Sequence, residues 1–189
     1  MNIYEVQPIF SHPTHPFELT IDAPGSKSIT NRALMLAALA NGETLLKGAL
    51  FSDDSRHFLQ CLKDLGFDVV VDEPAHTVRV TGLGGRIPKE TAAINVGSAG
   101  TAARFLTAML GCAKGVWHLD ASEQMKKRPM AALLNTLTDL GCRIDCHEKE
   151  GYFLYHLFRR YHRFRGHCRY RRQQSVLKCP SHGRCDDGS

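Results

Sequence analysis

The chain lacks the marks of a membrane or secreted protein. None of its 189 residues form an apolar run long enough to cross a bilayer. The N-terminus, MNIYEVQPIF, has no basic-then-apolar layout, which argues against a signal peptide. The seven cysteines are odd in number and follow no pairing pattern, which argues against a disulfide framework and favours a reducing cytoplasm. There is one tryptophan, Trp117, while the 8% aromatic and 43% hydrophobic contents are ordinary for a soluble globular domain. A P-loop is also missing, because Ile21 stands where its first glycine belongs.

Acidic residues are scarce in one place only. The net charge is +5, yet residues 1–153 carry 15 Lys and Arg against 17 Asp and Glu, whereas residues 154–189 carry nine against two. The last 36 residues also hold four of the ten histidines and three of the seven cysteines. Such a break marks a separate module or a segment of different origin.

What is present begins with Pro24-Gly25-Ser26-Lys27-Ser28-Ile29-Thr30-Asn31-Arg32. Pro24 and Gly25 break an extended run, and Ala33, Leu34, Leu36, Ala37, Ala38 and Leu39 then follow a helical pattern. A helix start has unpaired N–H groups and a partial positive charge, so it attracts an anion. Lys27 adds a point charge there, and Arg32, four residues after Ser28 on the same face, adds a planar fork suited to phosphate or carboxylate. Taken alone, the stretch also fits an ordinary N-capped helix with a solvated basic face.

The first 153 residues repeat themselves. Gly25-Ser26 and Arg32 recur 72 residues later as Gly97-Ser98 and Arg104, and Asp64-Leu65-Gly66 recurs 75 residues later as Asp139-Leu140-Gly141. The spacing predicts helices over 28–40, 53–65, 101–110 and 129–140, with Ser52 as an N-cap and Pro129 at a first helical position. Gly66 and Gly141 fit the left-handed position past a helix end, and alternating strands follow at 67–72 and 142–147, with a further one at 77–81. Each unit reads strand, helix, strand, helix, strand, and the fold class is α/β. Asp53 and Asp54 read as helix-start charges, and the stretches around His12 and His57 show only ordinary use.

Cations sit at corresponding places in the two units. Besides Lys27, Arg32 and Arg104, the run Met125-Lys126-Lys127-Arg128-Pro129 sets three cations just before a helix, an unfavourable place unless an anion is bound. The small residues Gly97-Ser98-Ala99-Gly100-Thr101 let backbone N–H groups approach a ligand closely. Four such clusters point to a small substrate with more than one acidic group.

The stretches PGSKSITNRALMLAALANGET, SDDSRHFLQCLKDLG, GSAGTAARFLTAML and MKKRPMAALLNTLTDLG, in this order, resemble the 5-enolpyruvylshikimate-3-phosphate synthase family over most of residues 1–150. The related UDP-N-acetylglucosamine enolpyruvyl transferases share the fold but lack the first motif. The resemblance implies an incomplete inverse α/β barrel of βαβαββ units, one domain of two, with residues 1–20 packing with the other domain. It implies a cytoplasmic, monomeric transferase of the shikimate pathway that moves the enolpyruvyl group of phosphoenolpyruvate to the 5-hydroxyl of shikimate 3-phosphate. No metal, organic cofactor, membrane or nucleic acid is implied. By motif match, Lys27 contacts both substrates, Ser28 and Arg32 hold shikimate 3-phosphate, and the Gly100 backbone with Arg128 holds phosphoenolpyruvate. Thr101 and Arg104 shape that pocket. Ser98 stands where the family usually has asparagine and reaches less far.

After Phe153 the family pattern stops, and the acid and base groups that the family takes from later residues have no counterpart. The chain is therefore expected to be inactive as it stands. A back-translation of residues 173–182, read one base later, can spell a Ser-Ser-Gln motif of the family, so residues 154–189 read as a basic, disordered, frame-shifted tail. A competing reading makes this Arg- and Tyr-rich tail a nucleic-acid-binding arm. Another takes Cys168, Cys179, His182 and Cys185 as zinc ligands.

Overall fold

The structure, a computed structural model, describes residues 24–147, 150–153 and 155–159. Residues 1–20, expected to pack with the other domain, and the tail beyond residue 159 lie outside them. The described chain forms two units of the same design. The first runs α1 (Lys27–Leu39), β1 (Asn41–Lys47), α2 (Asp53–Asp64), β2 (Asp68–Asp72) and β3 (Thr77–Leu83). The second runs β4 (Thr91–Asn95), α3 (Gly100–Cys112), β5 (Gly115–Asp120), a short α4 (Glu123–Lys126), α5 (Ala131–Asp139), β6 (Arg143–Cys146) and β7 (Tyr155–Arg159).

The duplication read from the sequence holds in the topology. One sheet has the order β1-β3-β2 and the other β4-β5-β7-β6, so β1, β3 and β2 correspond to β5, β7 and β6. All these pairs are antiparallel except β4 with β5, which is parallel. The helix ends repeat as well. Gly66 N–H donates to Lys63 and Phe67 N–H to Leu62, while Gly141 N–H donates to Thr138 and Cys142 N–H to Leu137. Both glycines take the left-handed backbone that this closure needs, with φ of 91° and 87°.

Period-two patterning decides which sheet face meets the helices. Val78 and Val80 of β3 are fully buried, as are Trp117 and Leu119 of β5 and Tyr155 and Leu157 of β7. α3 is buried on most sides through Ala102, Ala103, Leu106, Thr107, Ala108, Met109, Leu110 and Gly111. Its Thr107 hydroxyl donates to Ala103 O at 2.7 Å and meets the Tyr155 hydroxyl at 2.6 Å, so the buried Tyr155 phenol is satisfied. Gly82 lets α1 lie directly on β3, since a Cβ there would come 2.3 Å from Ala37 O.

Two expectations change. Pro129 does not open α5: Met130 is the N-cap and the helix starts at Ala131, so the proline ends the preceding turn. The ordered α/β fold also runs past Phe153. Residues 155–159 form β7 between β5 and β6, with Tyr155 and Leu157 fully buried and His156 and Phe158 partly exposed on the other face. The expectation of disorder from residue 154 onward therefore fails for these five residues.

Candidate functional site

The first turns of α1, α2 and α3 lie side by side. Lys27 Nζ, at the start of α1, stands 3.2 Å from Asp54 Oδ2 in the first turn of α2. Gly97, just before α3, approaches α2 so closely that a Cβ would come 2.2 Å from His57 Nε2. Gly97 also has a φ of 57°, so both space and backbone call for glycine. Farther along, the Arg32 guanidinium lies 6.0 Å from the Phe105 ring centroid, linking α1 to α3.

These helix starts differ in how they are neutralised. Ser52 caps α2 in a reciprocal box with Ser55, and Asp53 and Asp54 supply negative charge to its first turn. Ser26 caps α1 by accepting from Ile29 N–H, but no acidic residue lies in that first turn. Ala99 occupies the N-cap of α3 and offers no side-chain acceptor, and the first turn has no acid either. The starts of α1 and α3 therefore keep the partial positive charge that α2 has lost.

Around the start of α3 the cations gather. A Cβ on Gly100 would fall 3.0 Å from Arg128 Nη1 and 3.4 Å from Arg104 Nη1. Arg104 Nη1 donates to Gly100 O at 3.0 Å, which holds its guanidinium beside the helix start. Ser98 and Ser122 share a hydroxyl hydrogen bond of 2.8 Å. A cleft of about 480 Å³ adjoins this region, lined by Asp53, Asp54, Arg56, His57, Gln60 and Ser98. Arg56 is committed to Glu73 through a two-pronged ion pair and is not a free cation of the cleft.

The predicted residues divide accordingly. Gly100, Arg104 and Arg128 come together, with Thr101 half-buried in the same turn and Ser98 exposed beside it. Lys27, Ser28 and Arg32 share the exposed start of α1, where Arg32 Nη1 donates to Ser28 O at 3.0 Å. The Lys27–Asp54 pair is half-exposed, so it is worth about 0–1 kcal/mol and yields readily to a better anion. The cluster of three cations before α5 is reduced. Lys126 ends α4 and pairs with Asp120 at 3.5 Å and Glu123 at 2.9 Å, leaving Arg128 as the group beside Gly100.

Sequence reasoning missed His57 and Phe105, whose partners are 40 and 73 residues away in the chain and follow no motif. It also missed Asn31, which is fully buried one residue before Arg32. Neither amide atom of Asn31 has a hydrogen-bond partner among the described residues.

The family model for EPSP synthase (3-phosphoshikimate 1-carboxyvinyltransferase) matches residues 12–157. The 3-phosphoshikimate 1-carboxyvinyltransferase of Trichormus variabilis is 42% identical over 143 residues, which are 76% of this chain and 34% of that protein. The enzyme of that name from Ralstonia pickettii is 47% identical over 133 residues, covering 70% of this chain and 30% of its own length. Among solved structures, EPSP synthase of Acinetobacter baumannii superposes with a TM-score of 0.67 at 27% identity, over 73% of this chain and 31% of that one. The chain thus spans about a third of the length of the curated relatives it matches.

Proposed function

This chain belongs to the EPSP synthase family, and from that membership we propose that it supplies an anion-binding part of an enolpyruvyl transferase site. The whole enzyme transfers the enolpyruvyl group of phosphoenolpyruvate to the 5-hydroxyl of shikimate 3-phosphate. The observation that carries this reading is the meeting of two uncompensated helix starts, α1 and α3, with Lys27, Arg32, Arg104 and Arg128 around them. Both substrates are multiply anionic, and such a setting stabilises phosphate and carboxylate oxygens without a metal.

In this reading Ser28 and Arg32 hold the phosphate of shikimate 3-phosphate. Lys27 leaves Asp54 and bridges the two substrates. Gly100 N–H and Arg128 hold phosphoenolpyruvate, while Ser98, Thr101 and Arg104 shape its pocket. The 5-hydroxyl gives up its proton to a base as its oxygen bonds to C2 of phosphoenolpyruvate, whose methylene carbon takes a proton from an acid and becomes a methyl group, giving a tetrahedral adduct. Loss of one methyl proton to a base and of the phosphate then restores the double bond on the new ether. Proton carriers for these steps come from parts of the relatives' length that this chain does not span. The 189-residue chain by itself is expected to bind and not to turn over.

The domain division follows the same reading. Residues 1–153, continued by β7, make up most of one of two domains, with residues 1–20 serving the other. The enzyme works as a monomer in the cytoplasm; among the described residues no helix is long and apolar enough to cross a membrane.

Calorimetry at low ionic strength tests the assignment. Shikimate 3-phosphate is expected to bind, and Arg32→Ala to weaken it roughly 10- to 100-fold, the worth of a charge-assisted contact. In the presence of shikimate 3-phosphate, Gly100→Ala is expected to weaken phosphoenolpyruvate alone, because its methyl group crowds Arg128 and Arg104. No heat with either ligand, or affinities untouched by both substitutions, would refute the site.

A further inference from the structure

On the sheet face turned away from the helices, three imidazoles converge. β5 presents His118, and β7 presents His156 directly opposite it in the antiparallel register. His147 follows the last residue of β6, the strand on the other side of β7. Ring centroids lie 4.6 Å apart for His118 and His156, 4.3 Å for His147 and His156, and 5.8 Å for His118 and His147. One nitrogen from each ring falls within 4.8 Å of the other two.

We infer that His118, His147 and His156 form a binding site for one divalent transition-metal ion of the zinc class, separate from the anion site at the helix starts. Imidazole nitrogen is a favoured ligand for zinc, nickel, cobalt and copper, and three histidines are a sufficient protein set for a tetrahedral ion. Metal–nitrogen bonds of about 2.0–2.1 Å place tetrahedral ligand atoms about 3.3 Å apart. The existing separations need only small side-chain rotations to reach that spacing. His147 Nε2 and His156 Nδ1 already meet at 2.8 Å, so an ion would replace one hydrogen bond.

A second observation singles out the third ring. His118 Nδ1 is buried and has no hydrogen-bond partner in the structure. An orphaned buried nitrogen costs free energy unless something uses its lone pair or proton. No carboxylate is ion-paired with any of the three rings among the described residues. Asp145, opposite His156 on β6, is held by Arg143 through contacts of 3.0 and 3.1 Å. Burial, then the neighbouring His118 and His147, disfavour charge on His156, which keeps its lone pair available. Two of the ligands sit on hydrogen-bonded neighbouring strands, so the backbone fixes their separation and an ion would clamp β5, β6 and β7 together.

Cobalt titration of the full 189-residue chain at neutral pH decides the matter, since Co2+ reports its ligands by its visible spectrum. One equivalent is expected to bind with the bands of a four-coordinate nitrogen site and without sulfur-to-metal charge transfer, and Zn2+ is expected to displace it. His147→Gln, at an exposed position beyond β6, should abolish the spectrum while far-UV circular dichroism stays unchanged. A variant with Cys168, Cys179 and Cys185 changed to serine should retain it. An absence of cobalt uptake, binding that survives His147→Gln, or binding lost in the cysteine variant would each overturn the proposal.

Discussion

At the residue scale, the charges that matter were readable because they lie in local motifs, and their allegiances were not. Lys27 and Arg32 stand at one helix start in sequence as in space. Lys126 and Arg128 are two residues apart, yet the first turns to Asp120 and Glu123 while the second faces Gly100. The turn at the end of α4 makes that separation, and no spacing rule encodes it. Environment likewise sorts the cysteines. Burial is the main cause that pushes the Cys61 thiol up to about 12, with the nearby Asp64 charge adding to it. Cys112 is exposed at the end of α3. Peptide mapping after brief alkylation of the native chain at neutral pH is expected to find Cys112 modified and Cys61 untouched. Equal labelling of the two would contradict the packing of α2 against β4.

At the scale of elements, caps and turns carry most of what the sequence foretold. The start of α2 at Ser52 and the glycine closures after α2 and α5 are short-range chemistry, so a few residues suffice to read them. The two closures also allow a clean comparison. Alanine at Gly66 or Gly141 must adopt a left-handed backbone, costing about 1–2 kcal/mol. Gly141 has open space for a methyl group, whereas at Gly66 it would come 3.1 Å from both Pro88 Cβ and Lys89 Cγ. Denaturant unfolding is expected to show both variants destabilised, with Gly66→Ala the worse. Equal losses would mean that Pro88 and Lys89 yield freely. β7 is less legible because its five residues share the composition of the basic segment that follows, and only the burial of Tyr155 and Leu157 reveals its place in the sheet.

At the scale of the whole molecule, duplication organises the fold. Two copies of one strand–helix pattern bring their helix starts to one place and turn the opposite sheet faces outward. That outward face has a consequence for stability against pH. Burial, followed by the neighbouring His118 and His147, lowers the His156 pKa below the ordinary imidazole value of 6.5, against a smaller opposing pull from Asp145. Its free form therefore prefers to stay neutral when folded, while the unfolded chain takes up a proton near the ordinary value. The contribution is fully present above about 6.5 and is lost as pH falls through that value toward the lowered one. His118, His147, Asp145 and Arg143 are titratable neighbours of His156 on that face. With a chelator present, the thermal midpoint should drop between about pH 7.5 and 5.5, and His156→Gln should flatten the profile. An unchanged slope in that variant would assign the dependence to other groups.

Sequence alone determined the α/β class, the repeat, the helix ends and the cationic motif at α1, because each rests on neighbours within a few residues or on a pattern long enough to match a family. Only the tertiary structure decided that α1, α2 and α3 begin together, that Arg104 and Arg128 face the same glycine, and that three histidines share one sheet face. Those meetings depend on strand order and helix packing, which bring together residues dozens of positions apart that carry no signal of one another in the chain.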